Sequence, residues 1–230
     1  MSVYIDPRWQ KIAQTLCAAR THIRRKSLRC KNFTIISNNC IGGVICEALG
    51  QEFTSPTINL YIRPKDFVKF CADLRRYLSL PLQELPFHPE IGYPLASIAG
   101  EITLYCKHYR TFEEAREAWI RRTGRIDWDH LCLMMTDRDF TPPFSLKDAA
   151  EFCGENVLQA FDSLPCPHKV CFVKEAEFSR KYASCVQVVK CCDRRSVGVI
   201  TEFATVTGKH LYECAAGWDY ISFLNQLEEA

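Results

Sequence analysis

The sequence predicts an α/β protein, a three-layer α/β/α arrangement whose central sheet is mostly parallel or mixed. Three observations carry that expectation. β-prone runs at 33–37, 131–136 and 168–173 alternate with segments of helical period. The run LCLMMT at 131–136 is apolar without interruption, as strands covered on both faces are. The chain has 230 residues, of which 47% are hydrophobic, enough to bury a sizeable core as a single α/β domain over 1–230.

The elements follow in order. Ile12, Leu16, Ala19 and Ile23 keep a helical period through 7–29, with Pro7 near the start and a basic last turn, HIRRKSLRCK, that suits the helix dipole. Thr34, Ile35 and Ile36 make 33–37 a strand. Val44 to Leu49 reads as a helix with Gly50 as its C-cap. TINLYI at 57–62 reads as a second strand. Asp66 opens a helix through Phe67, Phe70, Leu74 and Leu78. PLQELPFHPEIGYP, 81–94, holds four prolines and reads as a loop that could act as a lid, with His88 in it. Residues 98–108 contain strand material around Gly100. Thr111 with Glu114 forms a capping box for the helix that Gly124 ends. After 131–136 come helices from Ser145 and over 155–162, strands at 168–173 and 184–189, an extended stretch at 197–206, and a helix at 218–227.

Composition narrows the function. A net charge of +2 gives no polyanion signal, so no nucleic-acid partner is expected. No run of about 18 apolar residues exists, so no transmembrane segment is expected. The N-terminus lacks a basic-then-apolar leader, which points to a cytoplasmic protein. There are 14 cysteines, and Cys46, Cys71 and Cys132 sit inside apolar runs as small buried hydrophobes. Cys166, His168, Cys171, Cys185, Cys191 and Cys192 are of zinc-ligand type but show no CxxC spacing, so no metal site is assigned to them. WIRRTGR, with Trp119, Arg121, Arg122 and Arg125, reads as a solvated helical face.

Three polar islands interrupt the apolar pattern. The first is SNNCIGG, between a strand and a helix. Such a turn lies at the carboxyl end of the sheet, where ligands collect near a topological switch point. Helix-start amides, Gly42 and Gly43, and the side chains of Ser37, Asn38 and Asn39 suit an anion or oxyanion, and the dipole favours a Cys40 thiolate. The second island, FTSPTIN, offers Ser55 at the entrance of its expected strand, hence at the opposite sheet end. The third is TDRD, where Asp137 and Asp139 have the DxD spacing that holds a divalent metal between the phosphates of a nucleotide sugar. His108, after the run ITLYCKHY, is a candidate general base. His130, His168 and His210 lack such a context.

These residues bring a family into view. FTIISNNCIGGVICEALGQEFTSPTINLYIRPKDFVKFCADLRRYL, followed by HY, TFEEAREAWIRRTGRI and an apolar strand ending in TDRD, resembles a bacterial family filed as a domain of unknown function. Its members are often labelled exopolysaccharide biosynthesis proteins. The resemblance covers about residues 8–175 and fades beyond. It implies an α/β/α fold and a role in capsule or exopolysaccharide synthesis, with a carbohydrate or activated sugar as partner. The strand-then-NC turn is also similar to the GNC turn of a polysaccharide-biosynthesis acetyltransferase family, with SNNC standing where that family has GNC.

The expected function is a glycan-directed acyltransferase. In it a coenzyme A thioester is the donor, Cys40 is the nucleophile or thioester neighbour, and His108 or Asp137 is the base. The alternatives are a glycosyltransferase using a nucleotide sugar and a divalent metal at Asp137 and Asp139, and a non-catalytic carbohydrate- or partner-binding protein.

Overall fold

The computed structural model describes residues 15, 19–139, 151–188, 203–204, 209–210, 215 and 217–229. Residues 19–27 are helical (α1). They are followed by β1 (Thr34–Ser37), α2 (Ile41–Leu49), α3 (Pro64–Ala72), α4 (Leu74–Ser79), β2 (Leu82–Glu84), β3 (Leu95–Ile98), β4 (Ile102–Tyr105) and α5 (Phe112–Thr123). Next come β5 (Leu131–Thr136), β6 (Arg138–Asp139), β7 (Glu151–Phe152), α6 (Glu155–Asp162), β8 (Lys169–Val173), α7 (Ala176–Lys181) and β9 (Cys185–Gln187). Short strands β10 (Phe203–Ala204) and β11 (Lys209–His210) precede α8 (Tyr220–Asn225) and a 3₁₀ turn, Gln226–Glu229.

The α/β class holds. Strands β1, β5, β8 and β9 form a fully parallel sheet in that order, and β2, β3 and β4 form an antiparallel sheet beside it. Side chains alternate across the parallel sheet. Leu133 and Met135 of β5 join a core built with α3 to α7 and the small sheet. Cys132 and Met134 point to the other face, under α2 and α8. The expectation that β5 is covered on both faces is met, since all but its first residue are buried.

Local chemistry explains the helix ends. Gly50 closes α2 in the left-handed region at φ 68, where a side chain would be strained. Thr111 Oγ1 accepts the Glu114 amide at α5, and the Glu114 carboxylate accepts from Arg110 N. The return bond of the expected box thus lands one residue early.

Several expectations need correction. TINLYI is not a strand. Asn59 sits at φ 69, Ile58 and Leu60 close turns onto Ser55 and Thr57, and the segment bonds to β1 through side chains. It covers the open edge of β1, a surface that would otherwise invite pairing. The helix from Asp66 begins at Pro64 and breaks at Asp73 into α3 and α4. The proline-rich stretch contains β2, tied to β3. The strand material expected around Gly100 is present: Gly100, at φ 68, turns β3 back into β4. The parallel sheet follows chain order, so no switch point occurs among its described strands. WIRRTGR is not wholly solvated. Trp119 and Arg122 are buried, and the Arg122 guanidinium donates to Ile58 O and Tyr109 Oη. The start of the 7–29 helix, the helix from Ser145, Cys191, Cys192 and most of 197–206 lie outside the described residues. Among the described residues, no helix is long and apolar enough to cross a membrane.

Candidate functional site

β1 ends at Ser37, and the chain must leave the sheet and enter α2 within three residues. Ser37 and Asn39 make that possible. Ser37 Oγ donates to Asn39 O at 2.8 Å and accepts the Gly42 amide at 3.4 Å, while Asn39 Oδ1 accepts the Ile41 amide at 3.0 Å. These oxygens satisfy the first amides of α2, which have no partner inside the helix. Asn38 is buried. Its Oδ1 accepts Thr136 N, its amide donates to Met134 O and its carbonyl accepts Ile62 N. Asn38 thereby joins the ends of β1 and β5. Ser37, Asn39 and the Asn38 Oδ1 thus build the turn, while the buried Asn38 Nδ2 has no hydrogen-bond partner among the described residues.

The two glycines serve close packing. A Cβ on Gly42 would lie 2.9 Å from Ser37 Oγ and 3.1 Å from Ile35 Cγ2, and one on Gly43 would lie 3.1 Å from Ile58 Cγ2. Both positions let α2 approach β1 and the 55–60 turns closely, and both are buried against protein. Ser55 also moves. Because 57–62 is not a strand, the SPT turn reaches the SNNC turn. Ser55 Oγ lies 3.0 Å from Thr57 Oγ1, which accepts the Ser37 amide at 3.0 Å.

One pair of side chains faces outward. Cys40, the half-buried N-cap of α2, places Sγ 3.2 Å from Nε2 of the exposed His108. The two are 68 residues apart, and a short backbone bridge brings them together. Tyr61 and Tyr105 exchange backbone hydrogen bonds of 2.9 Å, and Ile62 N donates to Asn38 O at 2.9 Å. Residues 61–62 therefore tie the end of β4 to the end of β1, and the turn after β4 carries His108 over Cys40. Burial raises the pKa of the Cys40 thiol, and the Lys107 charge partly offsets the rise. Partial desolvation of the ring by its neighbours, although the residue as a whole is exposed, and then the Lys107 charge lower the imidazole of His108. The pair rests as a neutral thiol beside a neutral imidazole.

The TDRD residues lie at the same sheet edge but are committed elsewhere. Asp137 is fully buried; its carboxylate accepts Lys174 N at 3.0 Å and faces Arg138 Nε at 3.1 Å. Burial raises its pKa, with Arg138 and the Lys174 amide opposing. Asp139 accepts a forked pair of bonds from Arg63, at 3.0 and 2.8 Å to Oδ2, and a third bond from Tyr61 Oη at 3.0 Å. The two carboxylates thus do not form an open DxD pair. Among the described residues, no group of three or more His, Cys, Asp or Glu side chains is placed to hold a metal. Cys166, Cys171 and Cys185 are free thiols.

Sequence reasoning passed over Thr57, Tyr61 and Arg63. Each is the polar partner of an island already singled out, but nothing local in YIRP or SPT reveals which island it serves.

Together these features define a class: a parallel α/β protein with a thiol–imidazole pair at the carboxyl edge of its sheet, set on a strand–turn–helix. Comparison with known proteins adds the family. The chain belongs to the family described as Domain of unknown function (DUF1919), whose pattern matches residues 12–225. The match continues past residue 175, where the resemblance was expected to fade. A protein of Haemophilus influenzae, titled an uncharacterized protein, is 33% identical over 201 residues, covering 87% of this chain and 88% of that protein.

Proposed function

We propose that this protein is a glycan-directed acyltransferase of polysaccharide biosynthesis, with Cys40 as nucleophile and His108 as general base. The observation that supports this reading is the 3.2 Å approach of Cys40 Sγ to His108 Nε2 at the mouth of a strand–turn–helix. A neutral imidazole at hydrogen-bond distance from a thiol is arranged to take its proton as the sulfur attacks. His108 touches the thiol, whereas Asp137 is buried among its own partners, so the base is assigned to His108.

Cys40 Sγ attacks the carbonyl carbon of an activated acyl thioester, and His108 receives the thiol proton. The bond from the acyl carbon to the donor sulfur breaks, the proton passes from His108 to the departing thiolate, and the acyl group remains on Cys40. A glycan hydroxyl then attacks the acyl carbon, giving its proton to His108, and the new ester leaves as the Cys40 thiol is restored. The glycosyltransferase alternative needs Asp137 and Asp139 free to hold a metal, and both are tied to the protein.

The test is acylation by acetyl-coenzyme A, followed by mass spectrometry of the peptide containing Cys40. Wild-type protein is expected to carry one acetyl group on Cys40. Cys40→Ala is expected to carry none, and His108→Gln to acylate at least about 100-fold more slowly. Unacylated wild-type protein, together with no thermal shift at saturating coenzyme A thioester, would overturn the reading; a ligand at 100 times its Kd adds about 2.7 kcal/mol of stability.

A further inference from the structure

Helix α5 carries a second feature, separate from the Cys40–His108 pair. Arg116, Trp119, Ile120 and Thr123 recur at helical spacing and share one side of α5. They border a cavity of about 320 Å³ whose opposite wall comes from the end of α4 and from β2, including Leu78 and Leu82. That volume lies within the range of about 300–1,000 Å³ typical of small-molecule sites.

Two residues that line this cavity each bury a polar atom with no hydrogen-bond partner: Trp119 its Nε1 and Thr123 its Oγ1. Trp119 is only 3% exposed, held in the core with its ring 6.0 Å from that of Phe70. A buried indole N–H without an acceptor is uncommon and calls for a cause. Ile120, on the same side, is 60% exposed, an apolar side chain left at the opening. Arg116 lines the cavity as its cation and has no ion pair among the described residues.

We infer that this cavity is a binding site for a small amphipathic carboxylate, such as a medium-chain fatty acid. Leu78, Leu82 and Ile120 receive the hydrocarbon chain. The Trp119 indole is a donor only, Thr123 supplies a hydroxyl, and the Arg116 guanidinium is a fixed cation, so the complementary head group is an acceptor with negative charge. A neutral chain of equal length would leave Arg116 without a partner.

The experiment is a titration of ¹⁵N-labelled protein with octanoate, following the indole N–H resonances of its four tryptophans. Trp119→Phe identifies the Trp119 signal. A saturable shift of that signal is expected, with octanol at least tenfold weaker than octanoate. Arg116→Gln is expected to weaken octanoate at least tenfold, and Thr123→Val, at a half-buried position, to weaken it measurably without unfolding the chain. An unmoved Trp119 signal at millimolar octanoate would overturn the inference. So would equal binding of octanol and octanoate, or wild-type affinity in Arg116→Gln.

Discussion

Between Cys40 and His108 the proton has two resting places, and the surroundings decide which is used. Burial penalises both charged forms, and Lys107 favours the thiolate while opposing the imidazolium. The thiol therefore titrates above its ordinary value of 9.0, and the imidazole below its ordinary 6.5. The sign of the pH dependence follows. His108 is unprotonated throughout neutral pH and accepts a proton until the pH falls through its lowered value. Acyl transfer is expected to be flat through neutrality and to fall only below pH 6.5. Alkylation of Cys40 by iodoacetamide, which needs the thiolate, is expected to keep climbing past pH 9. A preformed thiolate–imidazolium pair would instead give a fast plateau in acid, so the alkylation profile separates the two. Lys107→Ala is expected to push the alkylation profile to still higher pH.

Helix α2 owes its position to two residues without side chains. Glycine inside a helix costs about 1 kcal/mol relative to alanine, so an alanine at either site gains about that much from the helix alone. The close packing opposes it. At Gly42 the added carbon meets Ser37 Oγ, Ile35 Cγ2 and the Ile35 carbonyl within 3.3 Å, and overpacking of this kind costs about 1–3 kcal/mol. Gly42→Ala is expected to destabilise the protein and disturb the Cys40 turn. Gly43→Ala meets only the side chain of Ile58, which can shift, and is expected to stay within about 1 kcal/mol of wild type. Urea unfolding of both variants checks the order. These packing roles were not legible in SNNCIGG, because Gly and Asn have the same composition in a ligand loop and in a tight turn. Elements with a local signature were legible: the Thr111 cap and Gly124 stop of α5, the uninterrupted apolar run of β5, and Gly50 after α2. TINLYI was misread because its β-prone residues cover a strand edge through hydroxyl and turn contacts, a job with no period of two. Cys40 and His108 were legible as reactive types. Which of His108 and Asp137 meets Cys40 was not, since that depends on the Tyr61–Tyr105 bridge between segments far apart in the chain.

At the scale of the molecule, one sheet serves two cores, and the final helix closes one of them. Tyr220, Ile221 and Leu224 of α8, with Leu227 beyond it, cover the same face as α2, Cys46 and Cys132. Asn225 also clasps the segment after α1, accepting Arg29 N at 2.7 Å and donating to Ser27 O at 3.0 Å. Those bonds are exposed and contribute little beside the burial of Leu224, which has no exposed surface. Leu224→Ala should therefore cost about 2–5 kcal/mol, a large part of the about 5–15 kcal/mol that holds a typical domain folded. How that loss spreads is measurable from thiol labelling. Cys46 and Cys132 lie on the α8 face, and Cys106 and Cys171 in the opposite core. Alternate residues of β5 anchor both cores, so exposing one face removes half the support of the other. Under conditions where opening is in rapid equilibrium, all four thiols are expected to label faster in Leu224→Ala by one common factor, tenfold for each 1.4 kcal/mol lost. Acceleration confined to Cys46 and Cys132 would show instead that the α8 face opens by itself while the core beneath α3 to α7 stays closed.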